Sequence, residues 1–138
     1  MRTLHFGLRV ANLERSLAFY TAVGYEVVGS VPETAFGHLT MLRLPDDDFV
    51  TIELVHDPTS AEADLGSGLS HFVIKVESLD GTMAELAARG IDADPPSSPD
   101  GSDDIRTAWL TDPDGNRIEL VQWPAGHLDG MTAADWPD

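Results

Sequence analysis

Two histidines and two glutamates recur in this sequence at one spacing. His5 lies 48 positions before Glu53, and His71 lies 48 positions before Glu119. Neutral imidazole nitrogens and carboxylate oxygens are ligands for first-row divalent metals, and a carboxylate beside a substrate can also move a proton. A single histidine in a strand is more often a structural residue. Four residues at a repeated spacing instead predict a metal-binding and proton-transfer site.

The repeated pair belongs to a longer internal duplication. When residues 3–55 are shifted by 66 positions onto residues 69–121, fourteen of the 53 aligned positions are identical, including IELV in both copies and Leu44 against Leu110. This density of matches indicates two copies of one module. We predict a single domain over residues 1–122. It consists of modules at about 3–57 and 69–122, joined by a linker at 58–68 and followed by a C-terminal tail at 123–138.

Each module reads as a strand, a helix and then further strands. Apolar alternation over 3–10 and 69–77 predicts the first strand of each module. Asn12 and Ser78 are suitable helix N-caps. The later strands are expected at roughly 25–31, 36–44 and 49–56 in the first module, and near 105–111 and 117–122 in the second, where the loop-like stretch 94–104 replaces one strand. Tandem βαβββ modules predict an α+β fold with a concave mixed sheet and helices on its outer face.

Strand parity places the candidate ligands on one side of the predicted strands. Successive side chains of a strand point to opposite faces, so Leu8 faces the helix and His5 faces away. The same alternation sends Glu53, His71 and Glu119 away from the helix-packed core. Neighbouring carboxylates repel unless a cation lies between them. We therefore predict one divalent metal ion (Ni, Co, Zn, Mn or Fe(II)) in an open site, with the ligands His5, Glu53, His71 and Glu119.

Composition argues against several classes of partner. A net charge of −16, from 24 acidic and 8 basic residues, opposes binding to nucleic acid or to anionic lipid. The absence of cysteine excludes disulfides and thiolate metal sites, and no apolar run reaches the length of a membrane span. We expect a cytoplasmic protein that binds a small-molecule substrate, with neither nucleic acid nor membrane as a partner. A homodimer is expected because symmetric dimers are the commonest assemblies.

The sequence resembles the vicinal oxygen chelate superfamily, which includes glyoxalases, bleomycin resistance proteins and dioxygenases. The resemblance rests on the duplicated βαβββ order, on the stretches LHFGLRV, NLERSLAFYTAVG and DPDGNRIEL, and on His and Glu at equivalent places in both copies. It is closest to glyoxalase I (lactoylglutathione lyase). The ring-cleaving dioxygenases have no ligand at the position of Glu53, and the epimerases tend to have glutamine there.

The resemblance implies a metal-dependent lyase or isomerase. Such an enzyme acts on a hemithioacetal or a related small carbonyl substrate by proton transfer through a metal-stabilised enediolate. Glu119 would be the base and Glu53 its partner on the opposite side. Arg9 would meet a substrate carboxylate, and Thr51 would be a further substrate contact on the face of Glu53. Asp57 stands where the family often has asparagine, so the thiol, glutathione or another, stays open.

Two alternative functions also stay open at this point. One is a ligand-sequestering protein of the antibiotic-resistance type, since the bleomycin-binding members of the superfamily keep the fold without the metal ligands. The other is an Fe(II) extradiol-type dioxygenase, which uses two histidines and one carboxylate.

Overall fold

A computed structural model of the chain describes residues 1–99 and 101–136. They form two compact units, Met1–Ser70 with Asp112–Asn116 (unit 1) and His71–Thr111 with Arg117–Asp138 (unit 2). Each unit contains one mixed sheet and one α-helix, which confirms the predicted α+β class. Neither α-helix of the described residues has the length and apolar character needed to cross a membrane.

Unit 1 contains four strands and one helix. They are β1 (Phe6–Arg9), α1 (Leu13–Val23), β2 (Glu26–Thr34), β3 (Gly37–Arg43) and β4 (Ile52–His56). The strand order is β1-β4-β3-β2, with β1 parallel to β4 and the other neighbours antiparallel. The predicted N-cap is confirmed, because the Asn12 side chain accepts a hydrogen bond from the backbone N–H of Arg15 at 2.9 Å. The helix is capped at its C-terminal end by Gly24, which has a φ of 130°. Such a positive φ favours glycine.

Unit 2 repeats this arrangement with one strand fewer. Its elements are β5 (His71–Lys75), α2 (Leu79–Ala88), β6 (Arg106–Thr111) and β7 (Arg117–Gln122). The strand order is β5-β7-β6, with β5 parallel to β7. The strand missing between α2 and β6 is reduced to one bridge, in which Ser97 and Thr107 exchange backbone hydrogen bonds of 2.9 Å. Prolines in the stretch 94–104 cannot donate ladder hydrogen bonds, so this part of the repeat is lost as expected.

The two copies differ in the length of one hairpin, and this corrects the gapless alignment. Ile52 pairs with Leu42, whereas Ile118 pairs with Leu110. Leu42, and not Leu44, is therefore the counterpart of Leu110, because the loop between β3 and β4 is two residues longer than the loop between β6 and β7. The difference is an even number of residues, so the alternation of faces is the same in both copies.

A buried carboxylate organises the turn between β6 and β7, which belongs to unit 1. Asp112 is 4% exposed. Its Oδ2 accepts hydrogen bonds from the Tyr20 hydroxyl at 2.6 Å and from Asn116 Nδ2 at 2.9 Å. Its Oδ1 accepts from the backbone N–H groups of Asp114 and Asn116 at 3.0 and 2.8 Å. Burial, followed by the charge of Asp112, raises the pKa of Tyr20 far above its ordinary value, so the phenol remains a hydrogen-bond donor.

The tail after β7 is held by His127 within unit 2. Its ring stacks on that of Trp123, with centroids 4.6 Å apart. Nδ1 lies 2.6 Å from the carbonyl oxygen of Leu128, and Nε2 lies 2.8 Å from Oδ1 of Asp135. Both ring nitrogens face acceptors, so the imidazolium form satisfies both, and these hydrogen bonds raise the pKa of His127. We infer a structural task for the tail.

We expect Asp112→Ala to lower the free energy of unfolding by about 3 kcal/mol or more, because each buried donor left without an acceptor costs roughly 1–3 kcal/mol. Tyr20→Phe removes one of these hydrogen bonds and keeps the ring, so its cost should be about 1–2 kcal/mol. Asp46→Ala is the matched control, because Asp46 is an exposed loop carboxylate. Urea unfolding followed by circular dichroism measures all three variants. Equal stability of Asp112→Ala and Asp46→Ala would contradict the prediction.

Candidate functional site

Unit 1 brings His5 and Glu53 together. The register partner of Glu53 in the parallel neighbour β1 is Gly7, and His5 lies two residues earlier, on the same face. Nε2 of His5 is 3.1 Å from Oε2 of Glu53. The two side chains are 36% and 18% exposed, so both are accessible to a ligand.

Unit 2 brings His71 and Glu119 together in the same way. The register partner of Glu119 in the parallel neighbour β5 is Val73, and His71 again lies two residues earlier. Nε2 of His71 is 3.5 Å from Oε2 of Glu119, and the side chains are 36% and 20% exposed. The duplication therefore reproduces the register, the distance and the exposure of the His–Glu pair.

Each pair fits two adjacent ligands of a divalent metal. With metal–ligand bonds of about 2.1 Å, donors at right angles lie about 3 Å apart, close to the separations within the two pairs. Among the described residues, no three His, Asp or Glu side chains form one group that could hold a metal. The structure thus shows the four predicted ligands as two pairs.

Trp109 packs against the second pair and was not identified from the sequence. It is the cross-strand partner of Glu119, and its ring meets the His71 ring nearly edge-on, with centroids 5.0 Å apart. The Arg117 guanidinium lies 5.4 Å from the centre of the Trp109 ring and pairs with Asp94 at 2.8 Å. An edge-on aromatic contact contributes about 0.5–1.5 kcal/mol, and here it restricts the imidazole plane. The sequence signal that could have identified Trp109 is an aromatic residue within the predicted strand that precedes the strand of Glu119.

A cavity of about 240 Å³ lies beside Glu53 in unit 1. Its lining includes Gly7, Arg9, Phe36 and Val55. A Cβ atom at Gly7 would come within 3.4 Å of Val55 Cγ2, so glycine keeps this part of the cavity open. Arg9 lies at this cavity, where the resemblance implies a substrate contact. Phe36, from the β2–β3 turn, provides an apolar wall that the sequence analysis missed.

Thr51 lies in the loop before β4. Its hydroxyl donates to Oδ2 of Asp47 at 3.1 Å, and the same oxygen accepts from the backbone N–H of Leu44 at 3.0 Å. The hydroxyl therefore helps to hold the longer loop of unit 1. A substrate contact by Thr51 stays a prediction, since the cavity beside Glu53 is lined by other residues.

Known sequences relate the chain to one superfamily. Residues 2–120 match the pattern of the Glyoxalase/Bleomycin resistance protein/Dioxygenase superfamily. The chain is 30% identical to a lactoylglutathione lyase of Neisseria meningitidis over 129 residues, which cover 91% of this chain and 94% of that protein. It is 27% identical to a lactoylglutathione lyase of Arabidopsis thaliana over 88% of its own length, but it spans only 44% of the plant protein.

Solved structures share the fold. The trypanothione-dependent glyoxalase I of Leishmania major has a TM-score of 0.70 at 26% identity, over 88% of this chain and 86% of that chain. TnmS3, an antibiotic binding protein from Streptomyces sp. CB03234, has a TM-score of 0.67 at 26% identity, over 88% and 96%. The resemblance stated from the sequence is thereby confirmed, and the chain belongs to the Glyoxalase/Bleomycin resistance protein/Dioxygenase superfamily.

Proposed function

We propose that this protein is a metal-dependent lyase of the glyoxalase type. The observation that carries the proposal is the His–Glu pair, which occurs in both units with the same register and nearly the same exposure. Relatives named lactoylglutathione lyase support an activity of this type. The thiol carrier differs among the similar proteins, since the Leishmania major enzyme is described as trypanothione-dependent.

In this proposal His5, Glu53, His71 and Glu119 hold one divalent ion. Two imidazole nitrogens and two carboxylate oxygens would suit Ni, Co, Zn, Mn and Fe(II) alike, and they would leave room for water or substrate as further ligands. When bound, the ion supplies Lewis-acid stabilisation of negative charge on the substrate oxygens.

The carboxylates of the chain would carry the proton. Glu119 would take the carbon-bound proton next to the substrate carbonyl and deliver it to the neighbouring carbon, and Glu53 would serve the opposite side. The hydroxyl proton would pass to the former carbonyl oxygen in the same conversion, so the net change is an isomerisation and no external oxidant or reductant is needed. Trp109 would exclude water from one side of Glu119. Arg9 would orient a polar group of the substrate from the cavity beside Glu53.

A ligand-sequestering protein is the second candidate. The likeness to the antibiotic binding protein TnmS3 favours it, and it would bind its ligand without metal and without turnover. An Fe(II) dioxygenase is less well supported, because such a site has no ligand at the position of Glu53. Here Glu53 lies 3.1 Å from His5, which supports its proposed role as a ligand.

We also propose that the protein is a homodimer. Strand β2 is an edge strand of unit 1. Its apolar side chains Val27 and Val28 are 51% and 54% exposed. With Phe49 they line a groove of about 410 Å³. An exposed apolar edge strand promotes pairing with another chain. A second copy of the protein would cover the exposed valines of β2. A cytoplasmic location stays a prediction.

The metal proposal predicts tight binding of one divalent ion per four-ligand set. Protein refolded with Ni, Co, Zn, Mn or Fe(II) should retain about one ion per chain in elemental analysis, and a chelator should remove it. His5→Ala and His71→Ala should each weaken binding by more than the roughly 10–100-fold typical of residues that only orient a ligand. His56→Ala is the matched control. Wild-type protein that retains none of these metals would remove the lyase proposal and favour sequestration.

Glu119→Gln should reduce turnover of a methylglyoxal hemithioacetal by at least about 10²–10⁴-fold, because general-base catalysis alone contributes that much. Because glutamine is nearly isosteric with glutamate and the Glu119 side chain is partly exposed, the circular dichroism spectrum should not change. Glu85→Gln, at an exposed site in α2, is the matched control, and Thr51→Val should also cost far less than Glu119→Gln. If Glu119→Gln keeps near-wild-type turnover, the base is another group.

The dimer should appear in light scattering as about twice the chain mass of 14.9 kDa, in line with the prevalence of symmetric dimers. Val28→Asp should produce a folded monomer, because it places a charge on the exposed edge strand. Met131→Asp, at an exposed site in the tail, should leave the mass unchanged. A wild-type monomer at high concentration with full metal content would reject the dimer.

A further inference from the structure

Two neighbouring cavities of unit 1 form one track that leads away from Glu53. The cavity beside Glu53 shares Arg9 and Val55 with a second cavity of about 90 Å³, whose lining also includes Asp57 and Glu62. Glu53, Val55 and Asp57 are alternate residues, so they follow one face of the strand and its end. At about 3.3 Å per residue, the Cα atoms of Glu53 and Asp57 lie roughly 13 Å apart along this track.

The far end of the track contains one basic side chain and two acidic ones. Arg9 is the only basic residue among the described residues that line either cavity, and Asp57 and Glu62 are the acids of the second one. Hydrogen bonds from the side chain and backbone of Thr59 lower the pKa of Asp57, and the charges of His56 and Arg9 contribute further. Asp57 is therefore a carboxylate at neutral pH.

The Asp57 carboxylate is held in place with one oxygen left over. Its Oδ1 accepts from the Thr59 hydroxyl at 2.7 Å and from the Thr59 backbone N–H at 2.9 Å. Among the described residues, Oδ2 receives no hydrogen bond. A fixed carboxylate oxygen at the wall of a small cavity is a natural acceptor for an ammonium group.

Five other basic side chains form ion pairs elsewhere, each within its own unit. The pairs are Arg15–Asp114, Arg43–Glu26, Lys75–Asp129, Arg106–Asp80 and Arg117–Asp94. These side chains are therefore engaged by carboxylates of the chain itself. Among the described residues that line the track, a ligand with two carboxylates finds one cation, Arg9, and no second one.

We propose that this track selects a thiol carrier by charge, a step that rests on the proposed lyase function. Asp57, supported by Glu62, binds an ammonium group of the carrier at the end of the track away from Glu53, and Arg9 binds a single carboxylate or another polar oxygen. Phe36 covers the apolar part of the carrier in the cavity beside Glu53. Carriers that are zwitterionic or cationic are preferred, and a carrier with two carboxylates, such as glutathione, is disfavoured.

Three thiols with one skeleton test this proposal on the metal-loaded protein. The methylglyoxal hemithioacetals of glutathione, of its glycine monoethyl ester and of its diethyl ester differ in net charge and not in the reacting group. We expect kcat/KM for the monoethyl ester to exceed that for glutathione by about tenfold or more, because like charges held close together disfavour binding. Asp57→Asn should remove most of this preference. Asp46→Asn, which makes the same charge change outside the track, should preserve it.

A binding measurement separates this proposal from the lyase function. The unreactive S-hexyl thioethers of the same three carriers, titrated calorimetrically, should show the same charge order without any turnover. Arg9→Met should weaken the two carriers that keep a carboxylate more than the diethyl ester. Preference for glutathione, or an Asp57→Asn protein with unchanged preference, would overturn the charge selection and leave the lyase intact. If none of the hemithioacetals turns over, the lyase function fails, and the thioether affinities still decide the charge selection.

Discussion

The carboxylate of Asp112 is the constraint on which the site in unit 1 depends. A charged group this deeply buried is tolerated only when donors occupy its oxygens, and Tyr20, Asn116 and the backbone of the turn provide them. The same turn contains Asp114, whose Oδ1 accepts a hydrogen bond from the backbone N–H of Ala11 at 3.1 Å. Ala11 lies two residues after the end of β1, so the same network helps to fix the end of the strand that carries Arg9.

The His–Glu geometry depends on a single parallel strand pair in each unit. In both units the histidine lies two residues before the register partner of the glutamate, Gly7 in unit 1 and Val73 in unit 2. The outer strands are free to change without moving this pair. Unit 1 has the long edge strand β2, whereas unit 2 keeps only the bridge at Ser97. The distance between the histidine nitrogen and the glutamate oxygen nevertheless differs by only a few tenths of an ångström between the two units.

The sequence was sufficient wherever the relevant signal is local. The cap at Asn12 and the side of the strand taken by His5 and Glu53 follow from neighbouring residues and from a period of two. Trp109 was missed because its place opposite Glu119 depends on the register between β6 and β7. That register is determined by the β6–β7 loop, which is two residues shorter than the β3–β4 loop. Phe36 was missed for a related reason, since a turn and not a strand pattern brings it to the cavity.

Charge arithmetic explains why the carrier end of the track should matter in such an acidic protein. Two carboxylates and one divalent cation sum to no net charge, so the proposed metal centre of Glu53 and Glu119 with neutral imidazoles would give no overall attraction for an anionic carrier. Discrimination is then left to the groups beyond it, where Arg9 is outnumbered by Asp57 and Glu62. Since Arg9 and Glu62 are exposed and Asp57 is half-buried, salt screens the charges of Arg9 and Glu62 more strongly than that of Asp57.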